Sequence, residues 1–76
     1  MKLNEKIINQ FKLALKDEGL RFTLQRLAVL EDILGSSEHR DCEQIYFSVN
    51  KKNSKVSKAT IYRTVDVLER HNFIRN

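Results

Sequence analysis

Proline is missing from all 76 residues, and glycine occurs only at positions 19 and 35. A chain with so few breakers is expected to be helical wherever its apolar residues recur at helical spacing, with short connections between helices. Both glycines close segments of that kind. Ile7, Ile8, Phe11, Ala14 and Leu15 share a stripe that predicts a helix from about Asn4 to Glu18, ended by Gly19 with Leu20 folding back. Leu27, Leu30, Ile33 and Leu34 predict a second helix from Leu24 to about Leu34, capped by Thr23 and ended by Gly35, with Leu24 and Ala28 on its margins. Its apolar arc is wide, so this helix is expected to be touched by both neighbours.

After a polar loop, Ser36 to Arg40, Asp41 with Gln44 three residues on has the capping-box pattern of a helix start. Cys42, Ile45, Tyr46 and Val49 then fall on one face of a third helix that fades near Asn50. Cys42 is expected to be a small core residue. A basic turn, Lys51 to Val56, leads to a fourth helix over Ser57–Asn72. Ser57 is its cap, Arg70 and His71 suit the negative end of its dipole, and Asn72 suits the left-handed residue that ends it. Ile61, Val65 and Leu68 form its buried stripe, expected to pack on Leu27, Leu30 and Ile45. Phe73-Ile74-Arg75 reads as the start of a strand. The whole is a mostly α domain of the winged helix-turn-helix kind, with only the beginning of the wing's first strand inside the chain.

At 76 residues this is one small domain, burying only about 60% of its chain surface. The formal net charge is +4, and it is unevenly spread. Residues 51–76 carry seven Lys or Arg against Asp66 and Glu69, whereas residues 21–50 carry three Arg against five acids. The positive end is therefore the fourth helix and the turn before it, as expected of a chain that meets a polyanion. The outer face of that helix bears Ala59, Arg63, Asp66 and Arg70, flanked by Thr60 and Tyr62. A helix that enters a DNA major groove must be narrow at its leading end, carry Arg for guanine edges and offer apolar surface to thymine methyls. Ala59, Thr60, Tyr62 and Arg63 are the candidates for base contact, and Lys51, Lys52, Lys55, Ser57 and Lys58 for phosphate contact. A solvated amphipathic helix has much the same face, so a helical protein-interaction module with incidental positive charge is the alternative, and a winged helix that binds RNA a minor third.

Cys42 is the sole cysteine, which excludes an internal disulfide and a four-cysteine zinc site and suits a reducing cytoplasm. No apolar run approaches the roughly 18 residues of a membrane span, and no signal-peptide core is present. No nucleophile is accompanied by a base and an orienting group, so no enzymatic activity is expected.

Three segments coincide with one family. Gly19-Leu20-Arg21-Phe22-Thr23-Leu24-Gln25-Arg26, His39 followed by Glu43-Gln44-Ile45-Tyr46, and Ala59-Thr60-Ile61-Tyr62-Arg63 resemble, in order and spacing, motifs of the ferric uptake regulator family. The likeness covers about residues 19–75. It implies a bacterial metal-responsive transcriptional repressor, with an N-terminal winged helix followed by a C-terminal dimerisation and metal-binding domain. It implies that Tyr62 and Arg63 meet the major groove of an A·T-rich pseudo-palindromic operator, bound as a homodimer, and that Arg21 reaches the minor groove. It also implies iron, zinc or another divalent metal in a full-length protein, with His39 a ligand only when the C-terminal domain completes the set. Taken on its residues alone, His39 is equally a loop histidine, and no cofactor is expected in these 76 residues. The sequence departs from the family pattern in having Gln25 where many members have Pro and Asn72 where Gly is common. The Cys-x-x-Cys pairs and His-rich segment of the C-terminal domain have no counterpart here.

Overall fold

The computed structural model describes residues 4–35, 41–52 and 55–74. They form four helices, α1 (Glu5–Asp17), α2 (Leu24–Leu34), α3 (Cys42–Lys51) and α4 (Lys58–Arg70). Each begins at the predicted cap. The side chains of Asn4, Thr23, Asp41 and Ser57 accept from the backbone N–H three residues on, at 2.9, 3.1, 2.8 and 3.2 Å. At α3 the Gln44 side chain also accepts from the Asp41 N–H at 3.0 Å, which completes the capping box.

The helix ends differ in mechanism. Gly19 is left-handed (φ +72°), its N–H donates to the Lys16 carbonyl, and the Leu20 N–H donates to the Leu15 carbonyl at 2.8 Å. Leu20 then packs into the same cluster as Leu15. α4 closes in the same way with Asn72 (φ +61°) in the glycine's place. The Asn72 N–H donates to Glu69, and the Phe73 N–H donates to Leu68 at 2.8 Å. Asparagine tolerates this region better than other residues with a Cβ. Gly35 is right-handed, and proximity explains it: a Cβ there would lie 3.0 Å from the Glu31 carbonyl oxygen.

α4 is the hub. Its backbone lies against those of α1, α2 and α3. Two apolar clusters result. Phe11, Ala14 and Leu15 of α1 meet Leu30 of α2 and Val67 and Leu68 of α4. Val29 of α2 meets Ile45 and Val49 of α3, Val56 of the turn, and Ile61 and Val65 of α4. α2 contributes to both, as its wide arc predicts. Ile61, Val65 and Leu68 are buried as expected, but the partners of the first two on α2 include Val29, which the sequence reading left out. Thr64 and Val67 are buried as well, because a helix packed on three sides hides more than one stripe. Leu24, placed on a core margin, is 77% exposed, since α2 begins there and its first turn projects beyond its neighbours.

The strand expected at Phe73 does not form among the described residues. Phe73 and Ile74 are held by the cap of α4, the Phe73 ring meets Phe11 edge-on at 6.2 Å, and Ile74 packs on both clusters. A strand needs a neighbour to pair its backbone, and no described residue supplies one. Cys42 is half-buried at the start of α3; partial burial first, then the charges of Glu69 and Asp41, raise its thiol pKa, so it stays protonated at neutral pH.

One charge lies inside. The Asp32 carboxylate of α2 accepts from Ser48 Oγ and from Lys52 Nζ, both at 2.8 Å, and thereby links α2 to the end of α3. The Lys52 ammonium is itself largely in solvent, which screens the pair.

Urea denaturation of four variants, taken as two pairs, checks this packing. Leu68→Ala is expected to cost about 2–5 kcal/mol, and Leu24→Ala to stay within about 0.5 kcal/mol of the parent. Lys52→Ala is expected to cost about 1 kcal/mol, because a buried carboxylate loses a partner, whereas Lys55→Ala changes stability by less than about 0.5 kcal/mol.

Candidate nucleic-acid interface

The outward face of α4 is what its burial leaves over. Ala59, Tyr62, Arg63, Asp66 and Arg70 are exposed and Thr60 is half-buried. They do not present equal chemistry. Arg70 binds inward at the helix end: its Nη1 donates to Glu18 Oε1 at 3.1 Å and its Nε lies 3.3 Å from Asp66 Oδ2. Thr60 belongs to the N-cap, receiving the Ser57 hydroxyl at 3.0 Å and accepting from Thr64 Oγ1 through its carbonyl. Tyr62 is 58% exposed, and Arg63 has no ion pair or hydrogen bond among the described residues. These two side chains are available to a ligand.

The leading end of α4 is positive for two reasons. The first N–H groups of a helix carry the positive end of its dipole, and Lys55 and Lys58 flank it. Lys58 Nζ sits 5.4 Å from the centre of the Tyr46 ring, which is itself edge-on to Phe47. Tyr46, Lys58 and Tyr62 line one small cleft between α3 and α4. Among the expected phosphate contacts, Lys51 and Lys55 are exposed, Ser57 is engaged in capping, and Lys52 is engaged by Asp32.

The turn before α4 is fixed by a residue that the sequence reading passed over. Asn50 Nδ2 donates to the carbonyls of Tyr46 and Val56, at 2.8 and 3.1 Å, and its Oδ1 accepts from the Val56 N–H at 3.0 Å. The amide thus pairs with the Val56 backbone as another peptide group would, and sets Val56 into the core one residue before the α4 cap. The signal in the sequence was faint: a lone amide at a helix end beside a run of lysines.

Arg21 lies exposed in the α1–α2 connection. Its neighbours are tightly placed. The Phe22 ring is edge-on to the buried Phe11 at 6.2 Å, Lys12 Nζ stands 4.9 Å from the Phe22 ring centre, and Arg26 Nη1 donates to the Arg21 carbonyl at 2.6 Å. No hydrogen bond or ion pair joins Arg21 to α4 among the described residues, and α1 and α2, which flank it, both pack on α4.

His39 lies outside the described residues. His71, read as a surface residue matched to the helix dipole, is half-buried instead. Its Nε2 is 3.1 Å from Glu18 Oε2 and 3.7 Å from Asp17 Oδ2. The two capped helix ends bring these groups together across 53 residues, a pairing that no local pattern announces. Asp17, Glu18 and His71 are a set of metal-type donors close to one another among the described residues. They do not fit a resident ion as they stand, because the two Glu18 oxygens are already taken by the Arg70 guanidinium and the His71 ring, each at 3.1 Å.

No solved structure matches the chain significantly. Among curated proteins it is similar to the ferric uptake regulation protein of Helicobacter pylori, 31% identical over 70 residues that are 92% of this chain and 47% of that protein. It is 34% identical to the ferric uptake regulation protein of Campylobacter upsaliensis over 65 residues, 83% of this chain and 42% of that protein. It is 33% identical to the peroxide operon regulator of Bacillus subtilis over 61 residues, 80% of this chain and 42% of that protein. The chain thus spans less than half the length of these relatives. Residues 17–76 match the pattern described for the ferric uptake regulator family, nearly everything from the end of α1 onward. The chain belongs to the ferric uptake regulator family.

Proposed function

We propose that this chain is the sequence-specific DNA-binding domain of a metal-responsive bacterial transcriptional repressor, with α4 as the helix that enters the major groove. The observation that carries the reading is the division of α4: one side is buried by three helices, and the other offers Tyr62 and Arg63 unengaged near a positive helix start. Arg63 suits a guanine edge, and Tyr62 a thymine methyl or a phosphate. Lys51, Lys55 and Lys58 set register on phosphates, and Arg21 enters an adjacent A·T-rich minor groove, where narrow width deepens the negative potential. In this reading the fold is a winged helix, two copies act as a dimer on a pseudo-palindrome, and repression is by occlusion. The similarity to a ferric uptake regulation protein and a peroxide operon regulator supports a role in metal- or peroxide-linked gene control.

Metal chemistry is not assigned to the described residues, since their one donor cluster does not fit an ion. The exposed Leu13, Leu24 and Phe47 favour the second reading, a helical protein-interaction module, but they lie singly on three different helices. Single exposed apolar residues are ordinary.

Anisotropy titrations at two salt concentrations separate the readings. A DNA-binding domain is expected to show a steep loss of affinity with salt, and an interaction module little binding at either. Arg63→Ala is expected to lose about 1–3 kcal/mol of discrimination between sequences, while Lys55→Ala weakens binding to all sequences alike and lowers the salt slope by about one. Unchanged specificity in Arg63→Ala would remove α4 as the reading helix. Adding iron, zinc or manganese is expected to leave the affinity of these 76 residues unchanged, and nanomolar binding that requires metal would overturn that expectation.

A further inference from the structure

Arg26 is placed oddly for a residue that serves only the fold. It stands in the first turn of α2, where the helix dipole disfavours a cation. Its Nε is closed off from solvent and has no hydrogen-bond partner among the described residues, which opposes folding. Among the described residues its one polar side-chain contact is the 2.6 Å bond from Nη1 to the Arg21 carbonyl, at an exposed position where water would serve the carbonyl nearly as well. A methionine would fill similar space without these penalties.

What the bond does accomplish is geometric. Arg26 grips the α1–α2 connection at two points: its backbone N–H meets Thr23 Oγ1, and its guanidinium meets the Arg21 carbonyl. On the other side of that carbonyl, Phe22 is set against Phe11. The peptide between Arg21 and Phe22 is therefore held in orientation, which narrows the directions in which the Arg21 side chain can leave the surface. We propose that Arg26 is a positioning residue for Arg21: it holds the Arg21 carbonyl so that the Arg21 guanidinium is aimed outward, ready for a narrow minor groove, at some expense in stability. The proposal rests on the reading that Arg21 meets DNA.

The test uses the 76-residue chain and a duplex obtained by selecting a random pool on it, then re-made with the A·T-rich flank changed to G·C. The readout is the ratio of Kd values for the two duplexes, with thermal unfolding measured alongside. Arg21→Ala is expected to lower that ratio about fivefold or more, the lower end for one base-edge contact. Arg26→Met is expected to lower it similarly while keeping Tm within about 4 °C of the parent or above it. Arg26→Lys, which keeps the charge but not the fork, is expected to lower the ratio with the salt slope unchanged. The Arg21→Ala, Arg26→Met double variant is expected to lose no more than Arg21→Ala alone, because the two act through one side chain. An Arg21→Ala chain with an undiminished ratio would overturn the reading of Arg21 and this proposal with it. Loss in Arg21→Ala with an intact ratio in both Arg26 variants would overturn the positioning role alone. A large fall in Tm for Arg26→Met, with the ratio preserved in Arg26→Lys, would make Arg26 a structural residue and also overturn it.

Discussion

The burial of α4 against three other helices holds this small domain together. Leu68 joins it to Phe11 and Leu15 of α1, and Ile61 and Val65 join it to Val29 and Ile45 of α2 and α3. A domain this small has little apolar area to distribute, and here both clusters include the same helix. Whatever α4 presents outward is then rigid with respect to the rest of the molecule. Tyr62 and Arg63 gain their orientation from side chains on the opposite side of the helix. Fixed orientation is what a base-reading side chain requires, since a contact to a base edge discriminates only when its geometry is set in advance.

The electrostatic arrangement follows the same division. Lys52, Arg70 and His71 are turned to acids of the fold, to Asp32, Glu18 and Asp17. Arg21, Lys51, Lys55 and Arg63 are left without acidic partners among the described residues. The basic end of the chain is thus two populations, one that ties helices together and one that faces solvent. Charge counting along the sequence merges them, and only the second is available to a polyanion.

The parts of the fold that depend on neighbours in sequence were readable. All four N-caps, the capping box at Asp41, the left-handed Gly19 and Asn72, and the stripe of α4 are local consequences of residue type and spacing. The parts that depend on distant partners were not. Val29 is buried because α3 and the turn before α4 cover it, and Lys52 is occupied because Asp32 lies twenty residues earlier. His71 meets Glu18 through two helix ends that happen to converge. At the candidate interface, the exposure of Tyr62 and Arg63 was legible from their place on the helix, whereas Asn50 and Arg26 were not, because what they make are bonds to backbone carbonyls that composition does not reveal.

Asn50 has a consequence for how this surface can diversify. Its amide bridges directly from the end of α3 to Val56, so a closed ring of hydrogen bonds sets the backbone one residue before the α4 cap. Within the basic turn, Lys52 is tied to Asp32 and Val56 to the core, whereas Lys51 and Lys55 are exposed and can change without moving α4. On the proposed reading, affinity for the sugar-phosphate backbone and choice of base sequence then sit on physically separate handles, Lys51 and Lys55 for the one and Tyr62 and Arg63 for the other.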